Sequence, residues 1–320
     1  MTPTASPQSP GIRLVFVATG DIALPCFRYL LEHGPRPLAV VTQPDKPVGR
    51  HQTLTPPIIK TAALAAGIPV LQPVKIGDAA EALAALAPEI LVVMAYGQIL
   101  RADVLTLARR AIINLHASLL PRYRGAACIQ AAIDAGDAAT GITAMHVVRE
   151  LDAGDVILAR ALPIAADETG ASLHERLADL AAAVLAETLA QLAAGTAPRV
   201  PQDAALVSYV PKLERADGRL DFTQPAAALE RRIRAYHPWP GTFAVAIEAG
   251  QQKRLKIHPP TAVVARVLEP GRIVSEDGRV LVGCGQGALE LTCVQPEGAK
   301  RMGAADYLRG RKPERLLPGG

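Results

Sequence analysis

Ile112-Ile113-Asn114-Leu115-His116-Ala117-Ser118-Leu119-Leu120-Pro121-Arg122-Tyr123-Arg124-Gly125 opens as a strand and breaks as a loop. Ala111, Ile112 and Ile113 are apolar, and Leu115 follows at period two. Asn114 and His116 alternate with them, so on a strand both point to one face. The strand ends at Ser118 to Pro121, and Arg122 to Gly125 read as a basic turn. A carboxamide can donate to a developing oxyanion. An imidazole can move a proton near neutral pH. Downstream, Glu150-Leu151-Asp152-Ala153-Gly154-Asp155 offers a carboxylate on a Gly-containing turn. Taken alone, an Asn-x-His pair is structural more often than catalytic. Spacing therefore reaches only an α/β transferase that acts on a carbonyl.

Upstream, Arg13 to Ala18 is a short apolar run, the pattern of a buried parallel strand. Thr19-Gly20-Asp21 makes a turn, Pro25 to His33 a helix closed by Gly34, and Leu38 to Thr42 the next strand. This order begins a doubly wound, mostly parallel sheet. Thr19-Gly20 is not a G-x-G-x-x-G fingerprint, so a dinucleotide site is poorly supported. Gln43 to Pro57 is dense in Pro and Gly and reads as a long loop, with Lys46, Arg50 and His51 giving it basic character. Glu89 to Ala95 is a strongly apolar central strand ending at the Tyr96-Gly97 turn. Thr140 to Val148 and Asp155 to Pro163 read as strands around the Asp152 turn, and Ala171 to Ala194 as a long amphipathic helix. His146, among apolar neighbours, reads as structural.

Thr196 to Lys212 is Pro-rich and reads as a linker. Gln224 to Tyr236 is a helix bearing Arg231, Arg232 and Arg234. Short strand-like runs follow at Thr242–Ile247, Leu255–His258, Gly271–Val274, Val280–Cys284 and Leu289–Val294, which argues a small β-barrel. The expected division is a catalytic domain over 1–195, a linker over 196–212 and a barrel domain over 213–320. The whole chain of 320 residues is long enough for two domains. Met1–Pro211 holds 16 Lys and Arg against 18 Asp and Glu, whereas Lys212–Gly320 holds 18 against 12. That basic excess suits a polyanionic partner for the second domain. Cys26, Cys128, Cys284 and Cys293 are scattered, which suggests neither a zinc site nor a disulfide framework. The first ten residues have no signal-peptide pattern, and no run approaches the roughly 20 apolar residues of a membrane span. A cytoplasmic monomer is expected.

Asn114-x-His116-x-Ser118-Leu119-Leu120-Pro121-x-Tyr123-Arg124-Gly125, with Leu151-Asp152-x-Gly154-Asp155, resembles the core of the folate-dependent formyltransferases. The resemblance runs from about Arg13 to the last residues. Thr-Gln-Pro-Asp-x-Pro-x-Gly-Arg, ending at Arg50, resembles the loop with which the tRNA-directed members grip the tRNA acceptor end. Relatives often follow that Arg with Lys, where this chain has Gln52 and Thr53. The first turn, Ala18-Thr19-Gly20-Asp21-Ile22, departs from the family's Gly-Thr-Pro-x-Phe. Pro238-Trp239-Pro240-Gly241 also reads as in the tRNA-directed members.

The resemblance implies a Rossmann-like formyltransferase domain followed by an OB-like barrel that binds tRNA. It implies transfer of a formyl group from 10-formyltetrahydrofolate to the amino group of methionyl-initiator tRNA, with no metal. Asn114 and protonated His116 would stabilise the oxyanion, and Asp152 would support the histidine and help move the amine proton. Ser118, Leu119, Leu120 and Pro121, with Tyr96 and Gly97, would contact the folate. Arg50 and Lys46 would contact tRNA. Two rivals stay open. A formyltransferase acting on a small amine, such as a sugar nucleotide or glycinamide ribonucleotide, would keep Asn114, His116 and Asp152 without needing the Gln43–Thr53 loop. An RNA-binding protein with a dead first domain would be expected to lose the three polar residues.

Overall fold

The computed structural model describes residues 12–49, 51–311 and 313–317. They form two compact units. One is built from the chain up to Gly125, from Gly141–Leu162 and from Glu175–Tyr209. The other takes Ala126–Thr140, Pro163–His174 and the chain from Val210.

The first unit is an α/β layer structure. Its strands are β1 (Leu14–Ala18), β2 (Ala39–Val41), β3 (Lys46–Val48), β4 (Thr53–Thr55), β5 (Val70–Leu71), β6 (Ile90–Met94), β7 (Ala111–His116), β8 (Arg124–Gly125), β9 (Ala139–His146) and β10 (Val156–Pro163). The main sheet runs β10-β9-β7-β6-β1-β2-β5. The pairings β1 with β2, β1 with β6, β2 with β5 and β6 with β7 are parallel, while β9 lies antiparallel to β7. The chain leaves β1 toward β2 and β5, then returns to lay β6 on the other side of β1. That reversal opens a crevice at the carboxyl ends of β1 and β6, where such sheets bind ligands. Leu14–Ala18 and Ile90–Met94 are apolar at every position and buried at every position. Strands covered on both faces need that composition.

Helices α1 (Leu24–Glu32), α2 (Ile58–Ala65), α3 (Ala80–Ala85) and α4 (Ala102–Leu105) connect these strands. In α1, Pro25 sits in the first turn, where its missing N–H costs nothing, and Cys26, Phe27 and Leu30 turn inward. Phe27 of α1 stacks on Phe16, while on the other face of β1 a core gathers Val15, Val17, Val41, Leu91, Leu83 of α3 and Val104 of α4. Truncating Leu83 or Leu91 to alanine costs about 2–5 kcal/mol.

The second unit holds α5 (Cys128–Ala135), α7 (Ala226–Ala235), α8 (Ala304–Gly310) and strands β12 (Thr242–Glu248), β13 (Gln251–Val264), β14 (Ile273–Glu276), β15 (Arg279–Gly283), β16 (Ala288–Pro296), β17 (Met302–Gly303) and β18 (Arg315–Leu317). Two elements are shared between the units in sequence, α6 (Gly170–Ala194) and the two-residue β11 (Tyr209–Val210). The second sheet is antiparallel and barrel-like, ordered β14-β15-β16-β13-β12-β18, with β17 beside β16. Burial in β12 alternates along the strand, as one-sided packing requires. Its core gathers Leu220, Phe222, Leu229, Ile233, Leu255, Leu289 and Tyr307.

Several elements depart from the sequence reading. The Gln43–Pro57 loop contains the hairpin β3–β4, paired from Lys46↔Thr55 to Val48↔Thr53. All six of its strand residues are exposed, so no apolar periodicity marks it. Strand β13 is far longer than Leu255–His258. Its register against β16 slips between His258 and Thr261, where Pro259 and Pro260 offer no amide to the ladder. By length and composition α6 alone among the described residues could cross a membrane. Leu173, Leu177, Ala181, Val184, Leu185 and Leu189 are buried, so its apolar stripe packs into the protein's own interior.

Candidate active site

Asn114 and His116 stand on β7 opposite Met145 and Thr143 of β9, so all four project from one face. Asn114 is half-buried and His116 is buried. The segment between β9 and β10 folds back so that Asp152 Oδ2 lies 3.7 Å from His116 Nδ1. The same carboxylate oxygen accepts a hydrogen bond from the Gly125 amide at 2.8 Å. His116 Nε2 is 2.9 Å from the carbonyl oxygen of Tyr123. A carbonyl only accepts, so this contact assigns the hydrogen to Nε2. Nδ1 is then the ring nitrogen that lies beside the Asp152 carboxylate.

The backbone that delivers these groups is unusual. Tyr123 has φ +59°, Asp152 φ +49° and Gly125 φ +111°. Non-glycine residues adopt positive φ rarely, and such positions cluster at functional sites. At Gly154 an added Cβ would sit 1.7 Å from the carbonyl oxygen of His146, so the turn that carries Asp152 is pressed against β9. Asp155 has its carboxylate 3.8 Å from Arg199, and its carbonyl accepts from the His146 amide. Asp152 alone of the turn's two aspartates is directed at His116.

The loop after β7 is tied down by Thr143. Its hydroxyl donates to the Ser118 carbonyl at 2.7 Å and accepts from the Leu120 amide at 3.1 Å. Ser118 is fully buried, and its own hydroxyl closes the loop by donating to the Arg122 carbonyl at 2.7 Å. Leu119, Leu120 and Pro121 are partly exposed. The carboxyl end of β6 adjoins that of β7, which brings the Tyr96-Gly97 turn to the same edge of the sheet. The Tyr96 ring is only 2% exposed and packs among Val15, Val17 and Leu91, and burial pushes its hydroxyl up to about 12. Its carbonyl accepts from Thr19 Oγ1 at 3.2 Å and from Gln43 Nε2 at 2.7 Å. Gly97 is exposed at φ +80°.

Gln43 also accepts a hydrogen bond from Lys46 Nζ, so one side chain links the hairpin to the Tyr96-Gly97 turn. The hairpin base is clamped further by Asp45, which accepts from Lys60 and Gln72 at 2.8 Å each. These contacts hold the Asp45 carboxyl below its ordinary value, the Gln72 hydrogen bond contributing most. Arg50 lies outside the described residues.

The basic turn expected at Arg122–Gly125 is only half solvated. Arg122 is exposed, whereas Arg124 is buried and directed at Gln202 and Tyr209. In the second unit the arginines of α7 serve the fold. Arg231 donates to the Asp134 carbonyl, Arg232 pairs with the Asp134 carboxylate at 2.9 Å, and Arg234 pairs with Glu230. Arg215 lies over the ring of the half-exposed Trp239, and Arg254 stacks 3.6 Å from the Phe243 centroid. Burial pushes the thiols of Cys26 and Cys284 up to about 12 and about 11, which makes them poor nucleophiles. Burial likewise lowers His146, whose Nε2 has no hydrogen-bond partner. No group of three His, Cys, Asp or Glu among the described residues could hold a metal ion. The sequence reading missed Thr143, Ser208 and Gln202. The last two lie in the Pro-rich stretch read as a linker, where composition hid them.

A doubly wound sheet with Asn114 and His116 on one face of β7, an Asp152 carboxylate beside the imidazole and a barrel-like second unit is the architecture of the formyl transferases. Residues 30–189 match the formyl transferase profile and residues 212–312 that of the formyl transferase C-terminal domain, and the chain belongs to this family. It is 49% identical over 305 residues to the methionyl-tRNA formyltransferase of Akkermansia muciniphila, covering 93% of this chain and 96% of the relative. It is 45% identical to that of Moorella thermoacetica, with the same coverage. Among solved structures, an N-formyltransferase from Helicobacter canadensis with folinic acid and dTDP-3-aminofucose superposes with a TM-score of 0.65 at 16% identity, over 89% of this chain and 99% of that one. HypX from Aquifex aeolicus with tetrahydrofolic acid gives 0.64 at 18% identity, over 93% of this chain and 47% of that longer one. At those identities the two structures speak for the fold.

Proposed function

We propose that this chain transfers the formyl group of 10-formyltetrahydrofolate to the amino group of methionyl-initiator tRNA. The observation that supports the chemistry is Asn114 and His116 on one face of β7 with the Asp152 carboxylate 3.7 Å from His116 Nδ1. The relatives' shared specificity at 42–49% identity supports the acceptor.

The residues suit the donor. A flat heteroaromatic ring needs apolar faces and backbone groups at its edge. Leu119, Leu120 and Pro121 supply the first, and the backbone at Gly97 the second. Asn114 donates to the formyl oxygen as negative charge builds there, a contact worth about 3–4 kcal/mol in comparable sites. His116 takes the proton of the attacking amine at Nδ1, and Asp152 stabilises the imidazolium so formed. The new C–N bond forms from the amine lone pair, and the bond to the donor nitrogen breaks. The proton held at Nδ1 then leaves with that nitrogen. Lys46 and Arg50 of the hairpin region, with the basic second unit, hold the tRNA phosphates. The protein acts in the cytoplasm as a monomer.

The purified protein is tested with 10-formyltetrahydrofolate and three acceptors: methionylated initiator tRNA, methionylated elongator tRNA and free methionine. Preference for the initiator species is the expected result. Failure with all three, alongside formylation of an amino sugar nucleotide, would overturn the acceptor assignment and leave the carbonyl chemistry standing.

A further inference from the structure

Arg124 is 8% exposed, and a buried guanidinium needs its donors met. Its Nε and one terminal nitrogen both donate to Gln202 Oε1, at 3.1 and 2.7 Å. Its other terminal nitrogen donates to the Tyr209 hydroxyl at 3.3 Å, with the Tyr209 ring centroid 5.9 Å away. Two donors on one oxygen fix which way the Gln202 amide faces. Its Nε2 must point away from Arg124, and it donates to the carbonyls of Asp152 and Gly154, at 2.8 Å each. Asp152 is the residue held at φ +49°. Its backbone is therefore pinned by Gln202, and its carboxylate by the Gly125 amide next to Arg124. The Arg124 amide itself donates to the Ser208 carbonyl, and the Tyr123 amide to the Ser208 hydroxyl. The 202–208 stretch thus grips both the loop after β7 and the Asp152 turn.

We infer that Gln202, oriented by Arg124, is a positioning residue that holds Asp152 at its working distance from His116. The inference rests on the reading that Asp152 takes part in proton transfer. Proton transfer is steep in distance, and a misplacement of about 1 Å can cost on the order of 10²-fold in rate. Gln202 touches neither reacting atom. Its contribution is to make a disfavoured backbone conformation the only one available.

The test uses the full-length protein and two variants. Gln202→Glu keeps an oxygen for Arg124 but sets a second oxygen against the two carbonyls. Gln202→Asn stays neutral and keeps the amide, yet is too short to reach Arg124 and both carbonyls at once. Each is expected to lower kcat at least about tenfold while KM for the donor and for methionylated tRNA stays within about twofold. In an Asp152→Asn background the same changes should cost less than about twofold more, because the group they position is gone. Wild-type kcat in Gln202→Asn, or a full tenfold loss persisting beside Asp152→Asn, overturns the inference. So does a rise in KM that accounts for the whole loss in kcat/KM. If Asp152→Asn alone retains wild-type kcat, the catalytic reading fails first, and the single variants distinguish that outcome. Thermal melting separates unfolding from loss of position, and if Gln202→Glu does not fold, Gln202→Asn carries the test.

Discussion

His116 Nδ1 and Asp152 Oδ2 stand 3.7 Å apart, longer than a hydrogen bond and well within the range of a charge interaction. Replacing Asp152 with Asn, or His116 with Gln, is expected to lower kcat by roughly 10²–10⁴-fold with little change in KM. Asn114→Ala is expected to cost roughly 10²–10³-fold. Steady-state formylation of methionylated tRNA measures all three, and activity within a factor of two of wild type in any of them removes that residue from the mechanism.

Gly154→Ala places a Cβ 1.7 Å from the His146 carbonyl oxygen, a distance no packing tolerates. The turn must move, and Asp152 moves with it. We expect kcat to fall at least about tenfold and Tm to drop by a few degrees. A variant with unchanged kcat shows that the Asp152 turn can be displaced without consequence.

Asp45 anchors the exposed hairpin through Lys60 and Gln72. Because these partners depress its titration, the anchor is whole at neutral pH and weakens only as pH falls through that depressed value. Asp45→Ala should therefore raise KM for methionylated tRNA by roughly tenfold at pH 7. KM for the folate donor should change by less than about twofold. Equal effects on both substrates are the outcome that sinks the idea of a tRNA-facing hairpin.

His258 offers a pH test of the second unit. Burial, with Arg301 nearby, pushes it down to about 4, and its Nε2 has no hydrogen-bond partner. His237 stands 6.4 Å away, ring to ring, and Lys256 is also close. A histidine whose value is lower folded than unfolded binds fewer protons in the native state. Its neutral form stabilises fully above about 6.5, and that contribution fades between about 6.5 and about 4. Tm should fall on going from pH 7 to pH 5, and His258→Leu should flatten that slope. An unchanged slope assigns the acid sensitivity elsewhere.

The parallel sheet was readable because β1 and β6 carry unbroken apolar runs, and β7 because Ile113, Asn114, Leu115 and His116 alternate. Asn114 and His116 stood out because each is polar where its neighbours are not, but their proposed roles and the choice of Asp152 over Asp155 came from the resemblance to the formyltransferases. What stayed hidden lacks such contrast. The strands of β3–β4 are exposed throughout, so no face is apolar. Gln202 and Ser208 lie in an irregular Pro-rich stretch, and their meaning comes from partners far away in the chain. Arg124 looked like surface charge because a sequence shows that an arginine is basic, not that its donors are met inside. The arginines of α7 show the same limit of a charge count, since Asp134 and Glu230 already engage them.

Gln43 holds the hairpin at Lys46 and the Tyr96 carbonyl with the two ends of one amide, and a Cβ on Gly97 would lie 2.7 Å from its Nε2. For anyone redesigning acceptor choice, this makes the hairpin a non-modular part. A graft that replaces residues 47–55 alone keeps the link, whereas one that begins at Gln43 detaches the turn as well. On the proposed reading, in which the hairpin meets the acceptor and the turn the donor, the two then change together, and the boundary of the graft decides which is being engineered.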